Sequence, residues 1–305
     1  MGDSSAGRIR TEKGDLLARR LPTSHFVPIL AAMKDTLSGL HGKFGRVWKY
    51  RAQPSLRAHT HEELEFNLVV RGSIRYIVEG QRHDLRRHDL LWLFPEQEHL
   101  LVQCSDDAEM WIGVLKQKVL HRLCSPAVAT ALTAPRLDGP LRRALPGERS
   151  RWIDGLCEDL AKHQKGSDQA DSDSVSTGLI HVFVLAWETF RDAQDNEDGG
   201  RDVHPAVDHV ARLIAGGDDR SFAALARETG MTRTSLSRRF RKDLGVSLIE
   251  HQNRTRIERF LDLYRGGRRT ILAAALAAGF GSYPQFHRVF RRVIGASPRQ
   301  HLHSH

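Results

Sequence analysis

The sequence predicts an α+β chain: a small N-terminal β-barrel with a helical extension, then an all-α C-terminal domain with two helix-turn-helix motifs. Three observations carry that prediction. Over residues 44–119, short apolar runs at 65–70, 73–78, 90–94 and 110–115 alternate with turn pairs at Arg71-Gly72 and Glu79-Gly80, as in a sandwich or barrel. After Leu120 the apolar residues change to helical spacing, at 152–160 and 179–190. Beyond residue 204 everything reads helical, and one helix-turn-helix pattern is written twice.

In order, these elements give a polar tail (1–20), a barrel (21–120), a helical extension (121–191), a linker (192–203) and a helical domain (204–305). A polar loop at 164–174 interrupts the extension, and the linker has a flexible composition. Pro205 suits the first turn of the next helix, where its missing N–H costs little. With 305 residues, 40% of them hydrophobic, the chain has enough apolar surface for two cores, which excludes wholesale disorder. The longest largely apolar run, 179–187, falls far short of the ~18–20 residues of a membrane span. The N-terminus lacks the hydrophobic core of a signal peptide, and Ala6 stands where a myristoylation signal needs Ser or Thr. Cys104, Cys124 and Cys157 are widely separated and form no disulfide framework, so a reduced, cytoplasmic protein without membrane partners is expected.

The net charge of +9 is concentrated. Residues 201–305 hold 19 Lys and Arg against 9 Asp and Glu, a net +10, and 18 of those cations are arginine. Residues 1–200 hold 27 against 28, a net −1. The basic third therefore calls for a polyanionic partner.

Within it, Leu225-Ala226-Arg227-Glu228-Thr229-Gly230-Met231-Thr232 leads into a basic helix from Arg233 through Phe240. Leu276-Ala277-Ala278-Gly279-Phe280-Gly281-Ser282 leads in the same way into a helix from Tyr283 through Phe290. Each copy has a short apolar helix, a glycine turn, a polar N-cap and a basic second helix. Leu236/Phe240 and Phe286/Phe290, at i and i+4, hold one face on the core, so the residues between them face outward. On that face Arg238 and Arg288 have the planar fork that fits guanine or phosphate. Thr234, Ser237, Tyr283 and His287 add shorter polar groups near the helix starts, and Arg241, Lys242, Arg291 and Arg292 suit phosphate contacts.

These motifs, with Asn253-Arg254-Thr255-Arg256-Ile257 between them and Gly295-Ala296-Ser297-Pro298 after them, resemble the DNA-binding domain of AraC/XylS-type transcription regulators over roughly 205–301. The resemblance implies base reading by Thr234, Ser237 and Arg238, and by Tyr283, Pro284, His287 and Arg288. It also implies two consecutive major-groove segments on one face of promoter DNA, ~34–36 Å apart. Two departures are modest: residues 270–278 are alanine-rich, and His301 stands where an aromatic residue is common.

Upstream, His59, His61, Glu63 and Glu65 would share one face of a strand, with Leu64, Phe66 and Leu68 on the other. This text resembles the first cupin motif, and Asp89 through Pro95 with His99 resembles the second. That likeness implies His59, His61, Glu65 and His99 as metal ligands, a set that suits Zn, Fe, Ni or Mn. Gln53, His88 and Glu96 replace motif glycines. Three readings stay open: an effector pocket without metal formed by His59, His61, Glu65, Trp92 and His99; a divalent metal site; and polar residues facing solvent. Arg57, Arg75 and Tyr76 are further pocket neighbours. His121, His163 and His181 read as surface or core residues, residues 301–305 as an exposed tail, and Cys157 as core.

The reading that unites these features is a DNA-binding transcription regulator controlled by a small-molecule effector. It has no catalytic residues and no required cofactor. A homodimer formed through the helical extension is expected, with RNA polymerase as partner if the protein activates. The alternative is a metal-dependent cupin enzyme, a dioxygenase or isomerase, fused to a DNA-binding domain. A purely architectural DNA binder leaves the histidines unexplained, and a repair alkyl transferase lacks its cysteines.

Overall fold

The structure is a computed structural model describing residues 44–51, 59–134, 137, 139–164, 173–193, 200–265 and 269–303. The expected tail 1–20, Gln53 and Arg57 lie outside the described residues.

The barrel is two antiparallel sheets. One has the order β1 (Gly45–Arg51), β7 (Glu109–Leu115), β2 (Leu64–Arg71), β5 (Asp89–Leu93), β8 (Arg142–Ala144). The other runs β6 (His99–Cys104), β3 (Ser73–Val78), β4 (Gln81–Arg86), β9 (Arg201–Asp202). Side chains alternate across each strand. Tyr76, Leu91, Leu93, Leu101, Met110 and Ile112 fill the space between the sheets. Phe66, Leu68, Leu90, Trp92, Trp111 and Leu115 point from the first sheet's outer face into a second core, beneath α3 (Gly147–His163) and α4 (Asp173–Asp192). The expected parity of Leu64, Phe66 and Leu68 is therefore observed. Gly113 makes the fit possible, because a Cβ there would collide with the Phe66 ring.

Two boundaries differ from expectation. The helical extension, which opens with α1 (Leu120–Leu123) and α2 (Pro126–Thr133), contains strand β8, paired to β5 through Leu90↔Arg143. The linker is not free at its described end: Arg201 pairs with Arg82, and Val203 is buried. The apolar stripes at 152–160 and 179–190 pack on the chain's own barrel through Ile153, Cys157, Leu160, Leu179 and Phe183. Cys157 is the expected core residue, and burial pushes its thiol pKa up.

The C-terminal domain begins at α5 (Pro205–Ala215), with Pro205 in the first turn and the His204 ring accepting from Ala206 N. Helices α6 (Phe222–Glu228) and α7 (Arg233–Leu244) form the first helix-turn-helix unit. Helix α8 (Leu248–Arg265) leads to the second, α9 (Ile271–Ala277) and α10 (Tyr283–Ile294), and α11 (Pro298–His303) follows. His301 packs against Phe290 with ring centroids 5.7 Å apart, as an aromatic residue there would.

The domain docks on the outer face of the second sheet, where Ile77, Leu100 and Val102 join Val207, Val210, Ala211 and Ile214 in one core. Arg82 donates to the carbonyl oxygens of Lys242 (3.2 Å) and Asp243 (3.5 Å) at the end of α7. Glu98 forms an ion pair with Arg212 of α5.

Candidate functional site

The two helix-turn-helix copies are alike in detail. Thr232 caps α7 by accepting from Ser235 N at 3.1 Å, and Ser282 caps α10 by accepting from Gln285 N at 3.3 Å. Gly245 and Gly295 end the two helices at φ 81° and 83°, the left-handed conformation that glycine adopts freely. The core residues Leu236, Phe240, Phe286 and Phe290 are fully buried. Thr234, Ser237, Arg238, Arg241 and Lys242 of α7 are exposed, as are Tyr283, Pro284, Arg288, Arg291 and Arg292 of α10; His287 is half-buried. Among the described residues no carboxylate pairs with Arg238, Arg241, Arg288, Arg291 or Arg292.

In the barrel, the histidines arrive differently from the expected strand. Strand β2 starts only at Leu64, and His59 and His61 precede it in a loop that bends at Glu62 and Glu63. His59 is held by a two-way backbone bridge to His99, 3.1 Å in each direction. Imidazole nitrogens of His59, His61 and His99 lie within 4.8 Å of one another. Glu65, wholly buried on β2, meets His61 Nε2 at 3.0 Å. Its other oxygen accepts from Asn67 Nδ2 at 2.8 Å, and Asn67 Oδ1 accepts from the Tyr76 hydroxyl at 3.0 Å. Asn67 was missed in the sequence reading, although it shares the parity of Glu65.

Electrostatics set the charge of this cluster. Burial favours neutral groups, but His61 and Glu65 each stabilise the other's charge. His61 is raised above 6.5, and Glu65 is held at about 2. Burial, with the neighbouring His59, drives His99 down to about 3, so it is neutral, and its Nδ1 lies 2.9 Å from Gln97 O. His99 Nε2 is buried without a hydrogen-bond partner among the described residues. The cluster thus presents one ion pair, backed by Asn67 and the Tyr76 hydroxyl, and one neutral imidazole between the apolar side chains that fill the barrel.

Trp92 is a correction. It pairs with Phe66 across β5 and β2, so both face outward, and its ring lies 5.8 Å from both Phe66 and Trp187 under the helices. Arg75 is also outside the pocket, beside Asp84 and 2.9 Å from Gln103. Two replaced glycines keep a glycine-like backbone: His88 has φ 75° and Glu96 has φ 62°.

A two-sheet barrel holding a buried polar cluster, docked to paired helix-turn-helix units with exposed arginines, defines a ligand-responsive DNA-binding regulator. Two family models match, an AraC-like ligand binding domain over residues 45–175 and a helix-turn-helix domain over residues 225–304. The HTH-type transcriptional activator RhaR of Enterobacter sp. is 23% identical over 80% of this chain and 86% of its own. ToxT of Vibrio cholerae, solved with an unsaturated fatty acid bound, is 16% identical over 85% of this chain and 94% of its own, with a TM-score of 0.33. A cupin protein of Bacteroides fragilis is 15% identical over 23% of this chain and 61% of its own, with a TM-score of 0.20. The chain belongs to the AraC-type family of transcription regulators, with an N-terminal ligand-binding domain and a C-terminal helix-turn-helix region. Among the described residues no helix is long and apolar enough to cross a membrane.

Proposed function

We propose that this regulator reads two consecutive major-groove segments of promoter DNA with α7 and α10, in response to a hydroxylated or charged small molecule bound in the barrel. The observation that carries the DNA reading is the duplicated cap, core and exposed arginine of the two helices. Thr234, Ser237, Arg238, Tyr283, Pro284, His287 and Arg288 meet bases, while Arg241, Lys242, Arg291 and Arg292 hold phosphates. Arg238→Ala and Arg288→Ala are each expected to weaken binding to a specific duplex by about 1–3 kcal/mol and to relax preference at one base pair. Equal affinity of wild type and both variants for specific and random DNA refutes this.

The effector meets His59, His61, Glu65 and His99; the buried, unpartnered His99 Nε2 supports this placement. The convergence of three imidazoles also supports a second reading, a divalent cation held by these same four residues. Such a cation would supply a fixed positive charge for an anionic effector. Elemental analysis of untagged protein, with a metabolite thermal-shift screen, separates the two. The name of RhaR supports an activator, with RNA polymerase as partner. A cytoplasmic homodimer completes the proposal; the extension's interface would use residues left outside its own core, such as Trp152, 46% exposed with the Arg149 guanidinium over its ring.

A further inference from the structure

The two helix-turn-helix units have separate cores. One contains Val207, Leu225, Leu236, Phe240 and Leu248, the other Ile257, Phe260, Ala274, Phe286 and Phe290. Among the described residues these two clusters share no member. Helix α8 runs between them, its N-terminal part packed with the first unit and its C-terminal part with the second.

A polar junction adds a second connection. Asp219, in the loop between α5 and α6, accepts through Oδ1 from Arg256 of α8, with Nη2 at 2.6 Å and Nε at 3.2 Å. Gly279, the turn residue of the second unit at φ 94°, lies against this pair. A Cβ there would stand 2.8 Å from Asp219 Oδ2 and 3.1 Å from Arg256 Nε. Close by on α8, Arg259 covers Gly217 of the same loop, where a Cβ would stand 2.5 Å from Nη1. The first unit's loop, the connecting helix and the second unit's turn therefore meet at one carboxylate.

We propose that Asp219, acting through Arg256, is a positioning residue that fixes the orientation of α10 relative to α7 and thereby sets the spacing of the two DNA segments. The proposal rests on the two-segment DNA reading above. Apart from this junction, the link between the two cores among the described residues is helix α8, and a small rotation at the base of a unit displaces its recognition helix sideways. One base pair is ~3.4 Å of duplex rise, so a displacement of that order changes which spacing fits. Asp219 is half-exposed while Arg256 is largely buried, and Asn at 219 would keep an acceptor oxygen for the Arg256 fork, so the effect of Asp219→Asn appears as geometry rather than melting temperature.

The test uses the full chain. Specific duplexes are selected from a random library, and affinity is then measured with one base pair inserted or removed between the two contacted segments. Wild type is expected to lose about tenfold at either altered spacing. Asp219→Asn should keep the wild-type melting temperature and bind the original site within about threefold, with the spacing penalty reduced to about threefold or less. Arg256→Lys, which keeps the charge and loses the fork, should fall between. The reversed pair, Asp219→Arg with Arg256→Asp, should restore the penalty. A merely structural role would lower melting temperature and weaken every spacing alike. A full spacing penalty in both Asp219→Asn and Arg256→Lys overturns the proposal. Failure of wild type to select any specific duplex overturns the two-segment reading and this proposal with it.

Discussion

His251 makes the first helix-turn-helix unit sensitive to acid. It is fully buried on α8, its Nε2 3.4 Å from the Ala211 carbonyl oxygen and its ring 5.4 Å from Phe240. Burial, reinforced by the Arg254 cation and only partly opposed by the carbonyl, lowers its pKa from 6.5 to about 4. The unfolded chain binds the proton more readily than the folded one. Stability from this group is therefore complete above pH 6.5 and is lost as pH falls toward 4. For these two values the loss at pH 5 is about 2 kcal/mol. Hydrogen–deuterium exchange of α5 and α8 amides at pH 7 and pH 5, corrected for intrinsic rates, measures it in place. Wild type should lose about 2 kcal/mol of protection relative to His251→Leu over that interval. The comparison between pH values matters because the variant also loses the Ala211 contact. Parallel changes in the two proteins would refute the argument.

Two further outcomes follow from the barrel. Trp92→Ala should lower the barrel's unfolding free energy by about 3–5 kcal/mol in denaturant titration, because it empties the centre of the sheet–helix core; a loss below about 1 kcal/mol would contradict that placement. Glu96→Gly should raise stability by about 1 kcal/mol, since Glu96 is exposed and held at positive φ; a lower melting temperature would show that the side chain, not the backbone, matters there.

Much of this architecture was legible because it is written in short-range patterns. The helix-turn-helix units repeat caps, core pairs and glycine turns at fixed offsets, and strand parity put Leu64, Phe66 and Leu68 on the face opposite Glu65, without saying what covers it. Strands β8 and β9 were not legible: Arg142-Arg143-Ala144 and Arg201-Asp202 are too short and too polar to show alternation. Trp92 was misplaced because its face depends on pairing with Phe66, which a single strand's sequence does not specify. His59 and His61 converge with His99 through a loop bridge rather than a strand, a long-range contact that motif spacing suggested only by resemblance. The docking face was readable only in part: the run Leu100-Leu101-Val102 of β6 is apolar on both sides, as strands covered on both faces are, whereas Ile77 shares its face of β3 with Ser73 and Arg75.

Strand β6 has one more consequence. Its inner face carries His99 and Leu101, while Leu100 and Val102 on its outer face belong to the core that contains α5 and α7. Sensor and reader are thus two sides of the same six residues of backbone, not beads on a string. Cutting the chain near residue 197 would leave Ile77, Leu100 and Val102 exposed on one fragment and Val207, Val210 and Ile214 on the other. Isolated halves of this protein should therefore be sticky, and pieces expressed separately are poor stand-ins for the whole.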